Sequence, residues 1–250
     1  MPFVTFPIAL PDAIVSGDVT VVPSSRVPPG RRFEPREEAT LNTHMYELAQ
    51  GLGGRRADLV AIPEFPGPFG VADLAVLATS WCRLHERIDA GIDPITHELD
   101  AAIVASLNPS RGRTLEELAA GLFLSSHALG HRMARLQRSG AVHVSRSGRF
   151  TRHKALAPLG QVHTIELKVQ AWRRALDQAR TYALWSDRSI ALLGRLPKDP
   201  SEAIAEAASA GVGLAVGSRW LVRPKPTRQS QPRRMWTSEL FVASLLGPAD

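Results

Sequence analysis

Residues 162–182 constrain the fold most strongly, because a β-branched apolar run ends in Glu166-Leu167-Lys168 and an amphipathic helical pattern follows at once. Side chains alternate between the two faces of a strand, so Glu166 and Lys168 share one face while Leu167 points into the core. A carboxylate beside an amine can hold a hard divalent cation and orient a water at a phosphate oxygen. The segment therefore predicts a strand–helix unit suited to metal-assisted phosphodiester chemistry.

The helix predicted after this strand has one mainly apolar row in which Gln178 is the polar exception. Its members are Ala171, Ala175, Gln178 and Tyr182. A second interpretation of the segment is an ordinary cross-strand ion pair on a solvated face, with Gln178 bonding to a backbone group. A partner carboxylate elsewhere in the chain would decide between the two interpretations.

The candidate partner is Asp73, in the second of two extended segments, residues 58–65 and 71–77, which the turn-forming sequence PGPFG joins as a hairpin. A carboxylate within an apolar strand is costly to bury unless it is paired or binds a metal. The rivals are Asp58 and, behind it, Glu64. Because Asp58 begins its strand next to two arginines, a surface ion pair explains it at little cost. Asp73 is therefore the preferred metal ligand.

These residues resemble the PD-(D/E)xK nuclease superfamily, whose motif is a metal-binding Asp on one strand and E-x-K on the next. The strand GVADLAVL is similar to the G-x-x-D form of the motif, with Ala72 where the name-giving proline would be, and QARTY fits the Q-x-x-x-Y pattern of the RecB and lambda-exonuclease-like branch. The resemblance implies an α/β, restriction-endonuclease-like mixed sheet flanked by helices. It also implies that Asp73, Glu166 and the carbonyl of Leu167 bind Mg²⁺ or Mn²⁺.

The same resemblance implies roles for four further residues. Lys168 would position or activate the attacking water and stabilise the pentavalent phosphate, while Gln178 and Tyr182 would shape the site or hold the scissile strand. The first helix of the family often supplies another carboxylate near the metal, and Glu38 is the candidate at the start of the helix predicted over residues 37–52. An ordinary acidic first turn, favoured by the helix dipole, is the alternative explanation for Glu38.

About ninety residues separate Asp73 from Glu166, although their strands should be neighbours in one sheet, so a unit is inserted between them. We predict a first part of the nuclease core at residues 1–80, an inserted domain at 92–155 and a second core part at 156–250. The inserted domain has predicted helices at residues 95–107, after an N-cap at Thr114, and at 126–138, then a strand, a glycine-containing turn and a strand. This order resembles the winged helix-turn-helix of MarR-type and related bacterial regulators.

The winged-helix resemblance implies that the second helix of the motif enters the DNA major groove and that the wing touches the backbone or minor groove. The implied DNA-binding residues are Ser126, His127, His131, Arg132 and Arg135 of the helix and Arg146, Arg149 and Arg152 of the wing. A net charge of +6 and a pI near 10.2 suit a polyanionic partner. A protein-interaction module with a merely solvated basic face is the alternative.

Composition limits the compartment and the kinds of site. A single cysteine, Cys82, excludes a disulfide framework and a cysteine-rich zinc site. The apolar N-terminus lacks the basic region of a signal peptide, and no run approaches the roughly 18 apolar residues of a spanning helix. We therefore expect a cytoplasmic protein with no membrane association.

Together these patterns and resemblances predict a Mg²⁺-dependent deoxyribonuclease that its inserted domain targets to double-stranded DNA. They leave open whether it is an endonuclease or an exonuclease and whether it serves restriction, repair or another pathway. A homodimer would engage two half-sites and cut both strands. The main alternative is a non-catalytic DNA-binding transcriptional regulator whose nuclease-like domain serves dimerisation. A third is an adaptor that binds protein through the winged helix. Retention of Asp73, Glu166 and Lys168 together favours the enzyme.

Overall fold

The computed structural model describes residues 14–16, 19–21, 40–52 and 57–247. They form two compact units. The first takes in the described residues up to 79, residues 161–227 and residues 244–247. The second consists of residues 80–160 and 228–243.

The described strands and helices are numbered here in chain order. The strands are β1 (Ile14–Ser16), β2 (Val19–Val21), β3 (Asp58–Pro66), β4 (Val71–Thr79), β5 (Val142–Val144), β6 (Phe150–Arg152), β7 (Gln161–Lys168), β8 (Arg188–Leu193), β9 (Gly213–Val216) and β10 (Arg219–Val222). The helices are α1 (Asn42–Gln50), α2 (Trp81–Asp89), α3 (Glu98–Ser106), α4 (Leu115–Leu122), α5 (Ser126–Arg138), α6 (Trp172–Tyr182), α7 (Ser201–Ala210) and α8 (Gln231–Leu246).

The first unit is built on one mixed sheet, so the expectation of an α/β protein with a mixed sheet is confirmed. The order of the described strands is β1-β2-β3-β4-β7-β8-β9-β10. β3 and β4 form the predicted antiparallel hairpin, and β4 pairs antiparallel with β7, the predicted neighbour. β7, β8 and β9 are parallel, with α6 and α7 in the two connections. Parallel neighbours need such crossovers, because a tight turn can join only antiparallel strands.

Helices cover both faces of this sheet. On one face, α1 packs Met45 and Leu48 against a cluster that includes Ile165 and Leu167 of β7. On the other face, α6 and α7 pack against β8 and β9. Since side chains alternate along β7, Glu166 belongs to the face opposite Ile165 and Leu167. The alternation that the sequence predicts for the E-x-K strand is therefore present.

The second unit contains the helices α3, α4 and α5 and the antiparallel hairpin of β5 and β6. Thr114 caps α4 as predicted, in a capping box with Glu117, and the bounds of α5 agree with the predicted helix. Leu118 of α4 and Leu129 and Met133 of α5 join one buried cluster. None of the helices in the described part of the chain is both long and apolar enough to cross a membrane.

The second unit takes in more of the chain than the predicted insertion at 92–155, because residues 80–91, 156–160 and 228–243 also belong to it. Helix α8 begins at Gln231, and its Met235 is part of the core of the second unit. Two hydrogen bonds join Arg87 of α2 to Glu239 of α8, Nε to Oε1 at 2.8 Å and Nη2 to Oε2 at 2.6 Å. Both side chains are fully buried. This pairing ties α8 to the second unit.

The turn between β3 and β4 contains a glycine at a position where a Cβ would not fit. A Cβ added to Gly67 would lie 2.4 Å from Cζ2 of the buried Trp185. We expect Gly67→Ala to lower the free energy of unfolding by about 1–3 kcal/mol, because Trp185 must move. Urea denaturation measures this. Gly130→Ala is the control, since nothing lies within 4 Å of a Cβ there and α5 should become more stable. Equal stability of Gly67→Ala and wild type would contradict the prediction.

Candidate active site

Asp73 and Glu166 meet across neighbouring strands. The register of β4 and β7 pairs Ala75 with Thr164 and Leu74 with Ile165, and the next position along places Asp73 opposite Glu166. Oδ2 of Asp73 accepts a hydrogen bond from the backbone N–H of Leu167 at 2.6 Å. The Glu166 side chain is 1% exposed and that of Asp73 is 25% exposed. One carboxylate is therefore buried and the other reaches solvent.

The ammonium of Lys168 lies among the three oxygens proposed as metal ligands. Its Nζ is 2.7 Å from Oε1 of Glu166 and 3.6 Å from Oδ2 of Asp73, and it donates to the carbonyl of Leu167 at 2.7 Å. The ion pair considered from the sequence thus exists, but it is buried rather than on a solvated face. Three hard oxygen atoms from two strands converge on one positive charge.

Tyr182 and Gln178 extend the site from α6. The Tyr182 hydroxyl is 2.6 Å from the carbonyl of Val71 and 2.9 Å from Oε2 of Glu166. Gln178 lies one turn earlier on α6, and its buried Oε1 has no hydrogen-bond partner within the described residues. That oxygen therefore does not satisfy a backbone N–H. Tyr182 connects α6, β4 and β7 at the carboxylate.

Burial disfavours the ionised form of both carboxylates and so raises their pKa. It raises the pKa of Glu166 to about 7, and the negative charge of Asp73 adds to this, while Lys168 and Tyr182 oppose it. Burial also raises the pKa of Asp73, against the charge of Lys168 and the N–H of Leu167. The pKa of Tyr182 is raised by burial and by Glu166, so its hydroxyl stays a proton donor at neutral pH. Both carboxylates therefore hold a proton more readily than an exposed Asp or Glu does.

The residues present fit a hard divalent cation in their chemistry. Mg²⁺ and Mn²⁺ prefer carboxylate and carbonyl oxygens, and Asp73, Glu166 and the Leu167 carbonyl supply these from adjacent positions. The described ranges contain no group of three or more His, Cys, Asp or Glu side chains that could hold a metal. The carbonyl of Leu167 would therefore be the third ligand, and Lys168 would have to leave the oxygens. The additional carboxylate Glu38 lies outside the described residues.

The two rival carboxylates of the hairpin lie at different places. Asp58 pairs with Thr79, at the end of the hairpin away from Asp73. Glu64 occupies the position across from Asp73, between the pairs of Pro63 with Leu74 and Phe65 with Ala72. Its φ of +49° is one of only two positive values among the described non-glycine residues. The pattern of the sequence did not indicate that Glu64 stands next to Asp73 in the sheet.

Metal affinity should depend on pH because a cation binds the ionised carboxylate. With the pKa of Glu166 at about 7, we expect Mn²⁺ affinity to fall about 10-fold from pH 8 to pH 6. Titration calorimetry over this range measures it. In the wild type the hydrogen bond from Tyr182 lowers the pKa of Glu166. Tyr182→Phe lacks this bond, so the pH dependence of Mn²⁺ affinity should move to higher pH. An affinity unchanged between pH 6 and pH 8 would contradict the argument.

On the second unit, the structure separates the predicted groove residues of α5 into two sets. Ser126, His127 and His131 are exposed, and the two histidine rings are in edge contact with centroids 4.9 Å apart. Arg132 and Arg135 instead pair with the nearly buried Asp100 of α3, and Nη1 of Arg132 lies 2.9 Å from Oδ1 of Asp100. The pairing leaves the Arg135 side chain 54% exposed and that of Arg132 28% exposed.

Arg138 is a basic residue that the sequence reasoning did not select. It is exposed and continues the row of His127, His131 and Ala134 along α5. The spacing i, i+4, i+7, i+11 was the signal that could have found it. Arg138, rather than the half-buried Arg132, is the arginine on this exposed row of α5.

The three arginines of the β5–β6 hairpin also differ. Arg146 is exposed at the turn. Arg149 lies 3.3 Å from Glu117 and donates to the carbonyl of Gly112 at 2.9 Å. Arg152 is half-buried, and burial lowers its pKa. Of the three, Arg146 has the side chain most available to a polyanion.

Comparison of the chain with protein-family models, with curated proteins and with solved structures gives no significant match.

Proposed function

We propose that the protein is a Mg²⁺- or Mn²⁺-dependent deoxyribonuclease of the PD-(D/E)xK type that hydrolyses phosphodiester bonds. The observation that carries this proposal is the convergence of oxygens from Asp73, Glu166 and Leu167 on a single cation, the ammonium of Lys168. A buried carboxylate with a second carboxylate beside it needs such a counter-charge. The arrangement is the one that the resemblance in the sequence implies for a metal site.

Each residue then has a chemical task. A bound divalent cation would supply positive charge to the phosphate and lower the pKa of the attacking water. Lys168, released from the carboxylates, would donate a hydrogen bond to the water or to a phosphate oxygen. Tyr182 would keep Glu166 in its orientation through the hydroxyl bond, as hydrogen bonds to a metal ligand generally do. The N–H of Leu167 would do the same for Asp73.

The second unit is proposed to be a winged helix-turn-helix domain that binds duplex DNA. The order of α4, a turn, α5 and the β5–β6 hairpin supports this proposal. Residues 118–165 contain no Asp or Glu, so α5 and the hairpin carry only positive formal charges. Such a face suits the phosphate backbone. Because one winged helix covers about a half-site, we also propose a homodimer that engages two half-sites.

Incubation of the protein with supercoiled plasmid, linear duplex and single-stranded DNA tests the proposal and identifies the substrate form. Cleavage is expected with Mg²⁺ or Mn²⁺ and none with EDTA. Nicking or linearisation of the plasmid would indicate an endonuclease, whereas loss of the linear forms alone would indicate an exonuclease. If no DNA form is cut with either metal, the enzyme proposal fails.

The rival function is a DNA-binding regulator without catalysis. It is favoured by one observation, that the ammonium of Lys168 in the same chain lies within ion-pair distance of both carboxylates. On that account the trio is a structural ion pair within the sheet. Salt-sensitive duplex binding with no cleavage in any metal would support the regulator.

A further inference from the structure

Phe123 has the most unusual environment of any apolar side chain in the second unit. It is 96% exposed, the largest value among the exposed large hydrophobic residues of the described ranges. It forms the C-cap of α4 in a left-handed conformation, with φ +56° and ψ +39°. The turn that it occupies leads directly to Ser125, the N-cap of α5.

The backbone N–H of Phe123 caps the carbonyls of Ala119 and Ala120, which a glycine at this position would do equally well. Glycine is the residue usually found at a left-handed C-cap, because a Cβ is strained there. The exposed ring also gains almost no burial. Strained residues that persist in a fold tend to mark functional positions, and an exposed aromatic ring is suited to contact with a partner.

The charges near Phe123 indicate the chemical class of its binding partner. The neighbours of Phe123 toward the C-terminus include the exposed His127 and His131 in the first half of α5, and Arg138 continues their row at the far end of that helix. No carboxylate occurs from residue 118 to residue 165. The acidic residues of α4, Glu116 and Glu117, lie in its first turn, about 10 Å away along the helix axis. A polyanion with apolar surfaces between its charges fits this neighbourhood better than an apolar protein groove.

Duplex DNA is such a polyanion. Aromatic and other apolar side chains insert between base steps from the protein surface, and phenylalanine also packs on the methyl group of thymine. We propose that Phe123 inserts into, or stacks on, a base step next to the groove that receives α5. The inference rests on the proposed DNA binding of the second unit and is independent of catalysis.

Phe123→Gly separates this role from a role in folding. The variant removes the left-handed strain, so its melting temperature should be equal to or above that of the wild type. Its affinity for duplex DNA should fall at least about 5-fold, the size of one lost stacking contact. Affinity is measured by fluorescence anisotropy in EDTA, so that no cleavage intervenes. Phe123→Trp should retain binding, and Leu184→Ala, at an exposed apolar side chain of the first unit, should leave it unchanged.

A second readout reports the stacking itself. Duplexes with 2-aminopurine at a TA step, which unstacks easily, should brighten with the wild type and with Phe123→Trp but not with Phe123→Gly. Wild-type affinity or brightening in Phe123→Gly would overturn the inference while leaving the nuclease proposal intact. The inference would also be overturned if Phe123→Gly lost self-association in sedimentation without a change in DNA affinity, because a second copy of the chain would then be the partner of Phe123. If the wild type binds no duplex, DNA binding by the second unit fails as well.

Discussion

Glu166→Gln is expected to lower metal-dependent DNA cleavage by at least about 100-fold, because it removes the charge of the buried ligand carboxylate while keeping its shape. The rate is measured by plasmid cleavage under single-turnover conditions. Asp177→Asn is the matched control, since Asp177 lies on α6 with a side chain that is 70% exposed. Its rate should stay within about 2-fold of the wild type. Equal loss in both variants, or none in Glu166→Gln, would contradict the assignment.

Glu166→Gln should raise the stability of the fold while it lowers the cleavage rate, so that the loss of activity cannot be attributed to unfolding. The folded-state pKa of Glu166, about 7, is above the value of an unfolded glutamate. The wild type therefore loses stability as pH rises through 7, and Glu166→Gln does not. Relative to the wild type, the variant should gain up to about 3 kcal/mol between pH 5 and pH 8. Urea denaturation at both pH values measures this difference.

Glu239→Gln is expected to lower the free energy of unfolding of the second unit by about 3–5 kcal/mol. It leaves the guanidinium of Arg87 buried beside a neutral partner, and Arg87 is the group that also binds the carbonyl of Ile92 at 2.9 Å. Oε2 of Glu239 additionally accepts from the N–H of Ile95 at 3.0 Å. The loss thus affects both α8 and the chain that leads into α3. Urea denaturation followed by circular dichroism measures it.

Two further variants control that experiment. Glu202→Gln breaks the ion pair of Arg173 and Glu202, whose side chains are about two-thirds exposed, and should cost less than about 1 kcal/mol. Arg87→Met combined with Glu239→Leu should recover most of the loss, because no buried charge then lacks a partner. If Glu239→Gln costs no more than Glu202→Gln, the buried pair does not hold α8 in place.

Local patterns predicted the elements that position the candidate site. The run that ends in E-x-K marked β7 and Glu166, and two extended segments joined by PGPFG marked the β3–β4 hairpin. A lone carboxylate in an apolar strand marked Asp73. The cap at Thr114 fixed the start of α4 because capping depends on a few consecutive residues. The pairing of β4 with β7 followed from the chemistry assigned to two residues rather than from any local pattern.

Contacts between distant residues could not be predicted in the same way. Arg87 and Glu239 are 152 positions apart, and no periodicity relates them. Asp100 of α3 pairs with Arg132 and Arg135 of α5. Which basic residues of α5 have no acidic partner could therefore not be assigned from the sequence. The position of the Lys168 ammonium is likewise a result of side-chain conformation, which alternation along a strand does not determine.

Calorimetric titration of Mn²⁺ into the wild type, Asp73→Asn and Glu166→Gln at pH 8 tests the cation site most directly, because it does not depend on knowing the substrate. We expect saturable binding by the wild type and at least about 10-fold weaker binding by both variants, each of which lacks one charged ligand. In buffers of different ionisation enthalpy at pH 7, binding to the wild type should also release protons, since Glu166 is partly protonated there. Equal Mn²⁺ affinity in all three proteins, or no saturable binding to the wild type, would contradict the account.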